Sequence, residues 1–193
     1  VENIKNRVVT DMFEPGSTMK PFAMAHLLDT KVWSESELVD ATKGYMRMDD
    51  GNVVKDVHVS KEPITMQQVI QKSSNVAVAK MMTRKPSFDF IDMLPKYGFC
   101  HKTLNELPGE INGVCHKNYD SLFALSTLSF GYGIGVNTLQ LAQAFSVFAN
   151  DGVLKPAFIE LNAVNEAPSR IINSSVAKKM GEMLFSVSKI GGT

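Results

Sequence analysis

"EPGSTMKPF", running from Glu14 to Phe22, decides how this chain is read. Pro15 and Gly16 break the backbone, Ser17 and Lys20 follow three positions apart, and Pro21 stands directly after the lysine. Residues i and i+3 share a helix face, so a helix opening here brings the Lys20 amine within reach of the Ser17 hydroxyl. At a helix start the serine also meets free backbone N–H groups and the positive end of the dipole, which suit a developing oxyanion. A lysine in desolvated surroundings loses its proton near neutral pH and acts as a base. Pro21 falls within the first turn, where its missing N–H costs little.

The bare pattern is weak. Sixteen serines and sixteen lysines in 193 residues give about one Ser-x-x-Lys by chance. The chain has three: Ser17–Lys20, Ser175–Lys178 and Ser186–Lys189. The last two fall in "VAKKMGEMLFSVS", a helix capped by Asn173 or Ser174, whose apolar face is Val176, Met180, Met183 and Leu184. Their lysines read as solvated surface. Only Ser17 has a Pro-Gly break before it.

A second constellation is Ser73-Ser74-Asn75, the only Ser-x-Asn in the chain. The spacing predicts a helix from Thr65, with Thr65 and Gln68 forming a capping box and Val69 and Ile70 turned inward. Ser and Asn favour caps and turns over helix interiors, so this helix should break at Ser73. Such a break would point the Ser73 hydroxyl and the Asn75 amide into a cleft. The plainer alternative is an ordinary N-cap for the next helix.

The bulk composition bounds the rest. With 44% hydrophobic and 21% charged residues, the chain is of globular type and long enough for one domain with a core. Twenty basic and twenty acidic residues cancel, which argues against a nucleic-acid or anionic-membrane partner. No apolar run approaches the roughly 20 residues that span a bilayer. The opening "VENIKNRVVTD" and the closing "SKIGGT" read as mid-domain, so a piece of a longer protein is expected.

Other helices are expected over Ser17–Leu28, with Phe22, Ala23, Met24, Leu27 and Leu28 forming an apolar face, and over Phe88–Tyr97. Residues 31–64 alternate weakly around Asp49-Asp50-Gly51, which fits a small hairpin or an extended excursion. Thr138 is expected to cap "LQLAQAFSVFAN", ending at Asn150 and Gly152, and "GVLKPAFIEL" reads as a strand. The eleven methionines fill apolar helix positions. Cys100 and Cys115 are each followed by a histidine but lack the paired spacing of common zinc sites, so no metal is expected. Two free thiols in a loop, or a disulfide in an oxidising compartment, are both open. His26, His58, His101 and His116 are scattered and form no triad-like pattern.

Together "EPGSTMKPF", "QKSSNVAVAKM", "LPGEING" and "FGYGIGVNTLQLAQAFSVFANDG" resemble the transpeptidase domain of a class B penicillin-binding protein. "SFGYG" followed by "LQLA" is most similar to the septal, cell-division type, penicillin-binding protein 3. The motifs stand in family order over nearly the whole chain. The resemblance implies an α/β (α+β) fold of the penicillin-binding-protein and serine β-lactamase type. Residues 1–193 would be a partial domain, chiefly the helical part, with much of the central antiparallel sheet missing.

It also implies a periplasmic D,D-transpeptidase that cross-links peptidoglycan stem peptides during division and is acylated by β-lactams, without a cofactor. An N-terminal helix outside this chain would anchor it to the inner membrane. Its partners would be division proteins, including a lipid-II glycosyltransferase. Position by position, Ser17 would be the nucleophile and Lys20 its base. Ser73 would relay a proton to the leaving nitrogen, and Asn75 would bind the substrate amide. Tyr132, with Gly131 and Gly133, would lie near the cleft. One departure stands out: the third family motif, Lys-Thr/Ser-Gly, is absent from residues 1–193. The rivals are a carboxypeptidase or β-lactamase-like hydrolase on the same scaffold, and a β-lactam-sensing division module without turnover.

Overall fold

The computed structural model describes residues 5–86, 88–104, 107–115, 119–159, 167–189 and 191–192. After a single-turn helix α1 (Arg7–Thr10), a 3-10 turn over Gly16–Met19 feeds directly into α2 (Lys20–Asp29). A hairpin follows, β1 (Tyr45–Arg47) and β2 (Val53–Lys55), paired antiparallel around the Asp49-Asp50-Gly51 turn. Next come α3 (Met66–Lys72), α4 (Asn75–Arg84), the short α5 (Phe90–Met93) and a 3-10 turn over Pro95–Tyr97. The remainder is β3 (Val114–Cys115), α6 (Leu122–Ser129), β4 (Ile134–Gly135), α7 (Thr138–Ala149), β5 (Val153–Leu154), β6 (Ser169–Arg170) and α8 (Ser174–Val187).

Strands among the described residues form three two-stranded antiparallel ribbons, β1–β2, β3–β4 and β5–β6. The helices make the core, as expected for the helical part of the domain. Helix α2 was expected to bury one face, yet every residue from Lys20 to Leu27 is buried. A helix apolar all round must be surrounded, and α2 packs against α3, α4, α6 and α8. Phe22 anchors it, with ring centroids 4.9 Å from Tyr97, 5.4 Å from Phe99, 5.0 Å from Phe145 and 5.2 Å from Phe148. The first three are edge-on, and such aromatic pairs add about 0.5–1.5 kcal/mol each beyond area burial. The lysine two residues before Phe22 is thereby tied to this aromatic cluster.

Several local expectations change. The chain enters α2 through a 3-10 turn, so Ser17 precedes the α-helix proper. Asn137, not Thr138, caps α7: its side chain accepts from the Gln140 N–H, and the Gln140 side chain returns the bond to the Asn137 N–H. Only Val153–Leu154 of the strand expected over 152–161 is paired; Glu160 and Leu161 lie outside the described residues, as does His116. Asn173 stands at the N-cap of α8 without capping it; it donates through its backbone and side-chain nitrogens to Asp29 Oδ1 instead. Cys100 and Cys115 are joined in a disulfide.

Candidate active site

Pro15 and Gly16 (φ +56°) turn the chain sharply into the 3-10 helix, as the Pro-Gly break requires. A second glycine makes this turn possible. Gly131 (φ +86°) lies so close that a Cβ on it would stand 2.1 Å from the Gly16 carbonyl oxygen. Gly16 N–H donates to the Gly131 carbonyl at 3.2 Å. Phe13 and Val136 exchange both backbone bonds at 2.9 Å, and Gly133 N–H donates to Glu14 Oε1 at 2.9 Å. The Gly131-Tyr132-Gly133 loop is thus fastened along residues 13–16, directly behind the serine.

The opposite wall is built by the break between α3 and α4. The Thr65–Gln68 capping box starts α3. Ser73 ends it in the left-handed region (φ 54°, ψ 40°), and Ser74 restarts the chain as N-cap of α4 by accepting from Ala77 N–H. The helix breaks at Ser73 as expected, and the cap falls on the next residue. Ser74 is the ordinary cap, which leaves Ser73 free to face Ser17.

Three side chains meet here. Lys20 Nζ lies 2.9 Å from Ser17 Oγ, 2.8 Å from Ser73 Oγ and 2.7 Å from the Ser73 carbonyl oxygen. Ser73 Oγ closes the triangle 2.9 Å from Ser17 Oγ. Ser17 is exposed and Ser73 half-buried, whereas Lys20 is only 2% exposed. Burial lowers the Lys20 amine from its ordinary value to about 8, against the opposing pull of the Asp56 carboxylate. A neutral amine fits the triangle well. The charged amine donates to Ser17 Oγ, the Ser73 hydroxyl and the Ser73 carbonyl, and the Ser73 hydroxyl donates to Ser17 Oγ. The neutral amine keeps two of its bonds and turns its lone pair to the Ser17 hydroxyl.

The triangle opens on a 220 Å³ cavity walled by Pro21, Ile70, Phe145, Leu184 and Val187. A larger one, of 450 Å³, lies beyond α3 and holds a second Ser–Lys contact, Lys72 Nζ to Ser60 Oγ at 3.1 Å. There the lysine is exposed. Burial separates the reactive pair from the ordinary one. The other two Ser-x-x-Lys patterns are on or just past α8. Ser186 donates to the Met183 carbonyl, and Lys189 lies over the Phe185 ring.

Asn75 begins α4 beside the triangle and donates through Nδ2 to the Lys55 carbonyl at 3.3 Å. Tyr132 is half-exposed and edge-on to Phe130, and Gly133 accepts from the Tyr119 hydroxyl at 2.6 Å. Neither Tyr132 nor Gly133 bonds to Ser17, Lys20 or Ser73 among the described residues. Two contributors escape the sequence pattern: Glu14, which holds the glycine loop, and Asp56, which accepts from Ser74 and from the Val76 N–H. The described residues hold no cluster suited to a metal ion.

The penicillin binding protein transpeptidase domain family matches residues 1–193. The chain is 38% identical over 200 residues to the probable peptidoglycan D,D-transpeptidase PenA of Neisseria flavescens, covering 100% of this chain and 47% of that protein. It is 33% identical over 192 residues to the peptidoglycan D,D-transpeptidase FtsI of Escherichia coli (strain K12), covering 99% of the chain and 32% of that protein. The chain therefore spans between a third and a half of these relatives. Among solved structures, the transpeptidase domain of Burkholderia pseudomallei penicillin-binding protein 3 aligns with a TM-score of 0.88 at 31% identity, covering 97% of this chain and 57% of that one. A peptidoglycan glycosyltransferase from Burkholderia ambifaria aligns with a TM-score of 0.89 at 29% identity, covering 99% and 61%. Matched over its whole length in sequence and over nearly all of it in structure, the chain belongs to the penicillin-binding-protein transpeptidase domain family.

Proposed function

We propose that this chain carries the nucleophile half of a peptidoglycan D,D-transpeptidase that works through an acyl-enzyme on Ser17. The observation that carries the reading is the triangle of Ser17, Ser73 and a buried Lys20. Lys20 takes the proton as Ser17 Oγ attacks the carbonyl of the terminal D,D-peptide bond of a stem peptide. As the C–N bond breaks, the proton passes from Lys20 through the Ser73 hydroxyl to the leaving nitrogen. The amine of a second stem peptide then attacks the ester, forms the new peptide bond and returns the proton to Ser17. A β-lactam enters the same first step and stays bound as the acyl-enzyme.

In this reading Asn75 holds the substrate amide, and Tyr132 and Gly133, on the loop behind the nucleophile, line the substrate's path. Residues 1–193 are proposed as a partial domain. The lysine of a Lys-Thr/Ser-Gly strand and most of the central sheet would come from elsewhere in the protein. The relatives' names support peptidoglycan cross-linking, and the proposal sets that work at the periplasmic face of the inner membrane during septal wall synthesis. The protein would be anchored by a helix outside this chain and would act with division partners that include a lipid-II glycosyltransferase.

The test is product analysis. The intact protein is given a stem peptide ending in a D,D-dipeptide and an amine acceptor, and mass spectrometry separates the cross-linked product from the hydrolysed one. Cross-linked product in excess supports the transpeptidase. Hydrolysis alone supports a carboxypeptidase.

A further inference from the structure

Asp56 follows the hairpin strand β2, and its half-buried carboxylate is occupied on both oxygens. Oδ2 accepts from the Ser74 hydroxyl at 2.6 Å and Oδ1 from the Val76 N–H at 2.9 Å. Its own N–H donates to the Gly44 carbonyl at 3.0 Å, which fixes the carboxylate to the base of the hairpin. One residue earlier, the Lys55 carbonyl accepts from Asn75 Nδ2 at 3.3 Å. Residues 55 and 56 therefore grip three consecutive residues, Ser74, Asn75 and Val76, at the start of α4. Ser73, the residue just before them, is held in a left-handed conformation that a serine adopts only where its surroundings fix it.

Helix α3 carries Lys72, bonded to Ser60, and α4 carries Lys80 and Arg84, bonded to the Asp40 carbonyl and to Glu37. The 3-10 turn over Gly16–Met19 and α6 have no ionisable side chain. On α8, Lys179 pairs with Glu35 and Lys178 and Glu182 are exposed, while Lys189, just past its end, lies over Phe185. Within α2 itself, His26 faces Asp89, and Asp29 accepts from Asn173. The Asp56 carboxylate, bonded to Ser74 and Val76, sits one residue along from the Ser73 carbonyl that holds Lys20 Nζ at 2.7 Å, and its charge opposes the effect of burial on that amine.

We propose that Asp56 is a positioning residue of the site: its carboxylate aims Ser73 by clamping the Ser74–Val76 segment to the hairpin, and its negative charge acts on the neighbouring Lys20 amine. The clamp and the charge are separable functions of one side chain. This rests on the acyl-enzyme reading of Ser17 and Lys20.

The experiment measures the acylation rate of the intact protein by a fluorescent penicillin from pH 5.5 to 9.5. Asp56→Asn keeps an oxygen for the Val76 N–H and offers an amide to Ser74 Oγ, but it removes the charge. Its rate profile should keep a plateau within about threefold of the parent, while the midpoint of the acid limb moves down by about half a pH unit or more. Ser74→Ala loosens the clamp and leaves the charge, so its plateau should fall about tenfold with an unmoved midpoint. Asp56→Ala should show both effects.

An Asp56→Asn midpoint equal to the parent's, with the parent acylating normally, overturns this proposal and leaves the acyl-enzyme reading standing. A parent that is not acylated at any pH overturns both. Should Asp56→Ala not fold, Asp56→Asn and Ser74→Ala decide the matter by themselves.

Discussion

The Lys20 amine stands 2.9 Å from the Ser17 hydroxyl in a residue only 2% exposed, so a cation has been placed where water cannot support it. Folding lowers the amine from 10.5 to about 8. Between those values the unfolded chain keeps the proton that the folded chain has lost, so stability rises with pH across this window. Replacing the lysine by an apolar side chain should remove that rise and the catalysis together. In Lys20→Met, penicillin acylation should fall by at least about 100-fold. Denaturant unfolding at pH 7.5 and 9.5 should show a gain of about 1–2 kcal/mol in the parent that is missing from the variant. An equal pH response in both would show that Lys20 is not the group whose proton is lost.

Gly131 leaves no space for a side chain. Its φ of +86° and the 2.1 Å separation of a Cβ from the Gly16 carbonyl combine strain with a backbone clash. Gly131→Ala should cost about 2–3 kcal/mol in stability and shift the turn that carries Ser17. Acylation should slow by about tenfold or more, since a small displacement of a nucleophile is expensive. Thermal unfolding and acylation kinetics check this. An unchanged rate would mean that the glycine loop does not set the serine's position.

The Cys100–Cys115 disulfide closes a loop with a sequence separation of 15, which in the chain-entropy view contributes about 3 kcal/mol. The same loop is held independently. Gln140 Nε2 donates to the His101 and Asn112 carbonyls at 2.6 and 2.8 Å, and buried Glu110 accepts from the Thr103 and Leu104 N–H groups. The double Cys→Ser variant should therefore unfold more easily, by about 2–3 kcal/mol, while its acylation rate stays within about twofold of the parent. A large loss of rate would place the disulfide in the path that positions the site.

What the sequence made legible follows the reach of each interaction. The Ser17–Lys20 register is local, a matter of one helical turn, and Pro15 and Gly16 marked which of three such pairs has a fixed start. Ser73 was found through helix-breaking chemistry, again local. The cap of α7 was legible but misassigned: Gln140 stands three residues after Asn137, the spacing of a capping box, and Thr138 drew the reading to itself. Asp56 was out of reach. Its partners are 18 and 20 residues further along the chain, and nothing in "VVKDVHV" sets it apart from any acid after a strand. The cysteine pairing was equally silent, because only the fold brings β3 beside the turn after Tyr97.

The most direct measurement is intact-protein mass spectrometry of the parent and of Ser17→Ala after exposure to a penicillin. The parent should gain the mass of one whole drug molecule, as ring opening requires. The adduct should persist for many minutes, map to the peptide containing Ser17, and be absent from Ser17→Ala. A parent without an adduct, or an adduct that survives in Ser17→Ala, would contradict the assignment of Ser17 as the nucleophile.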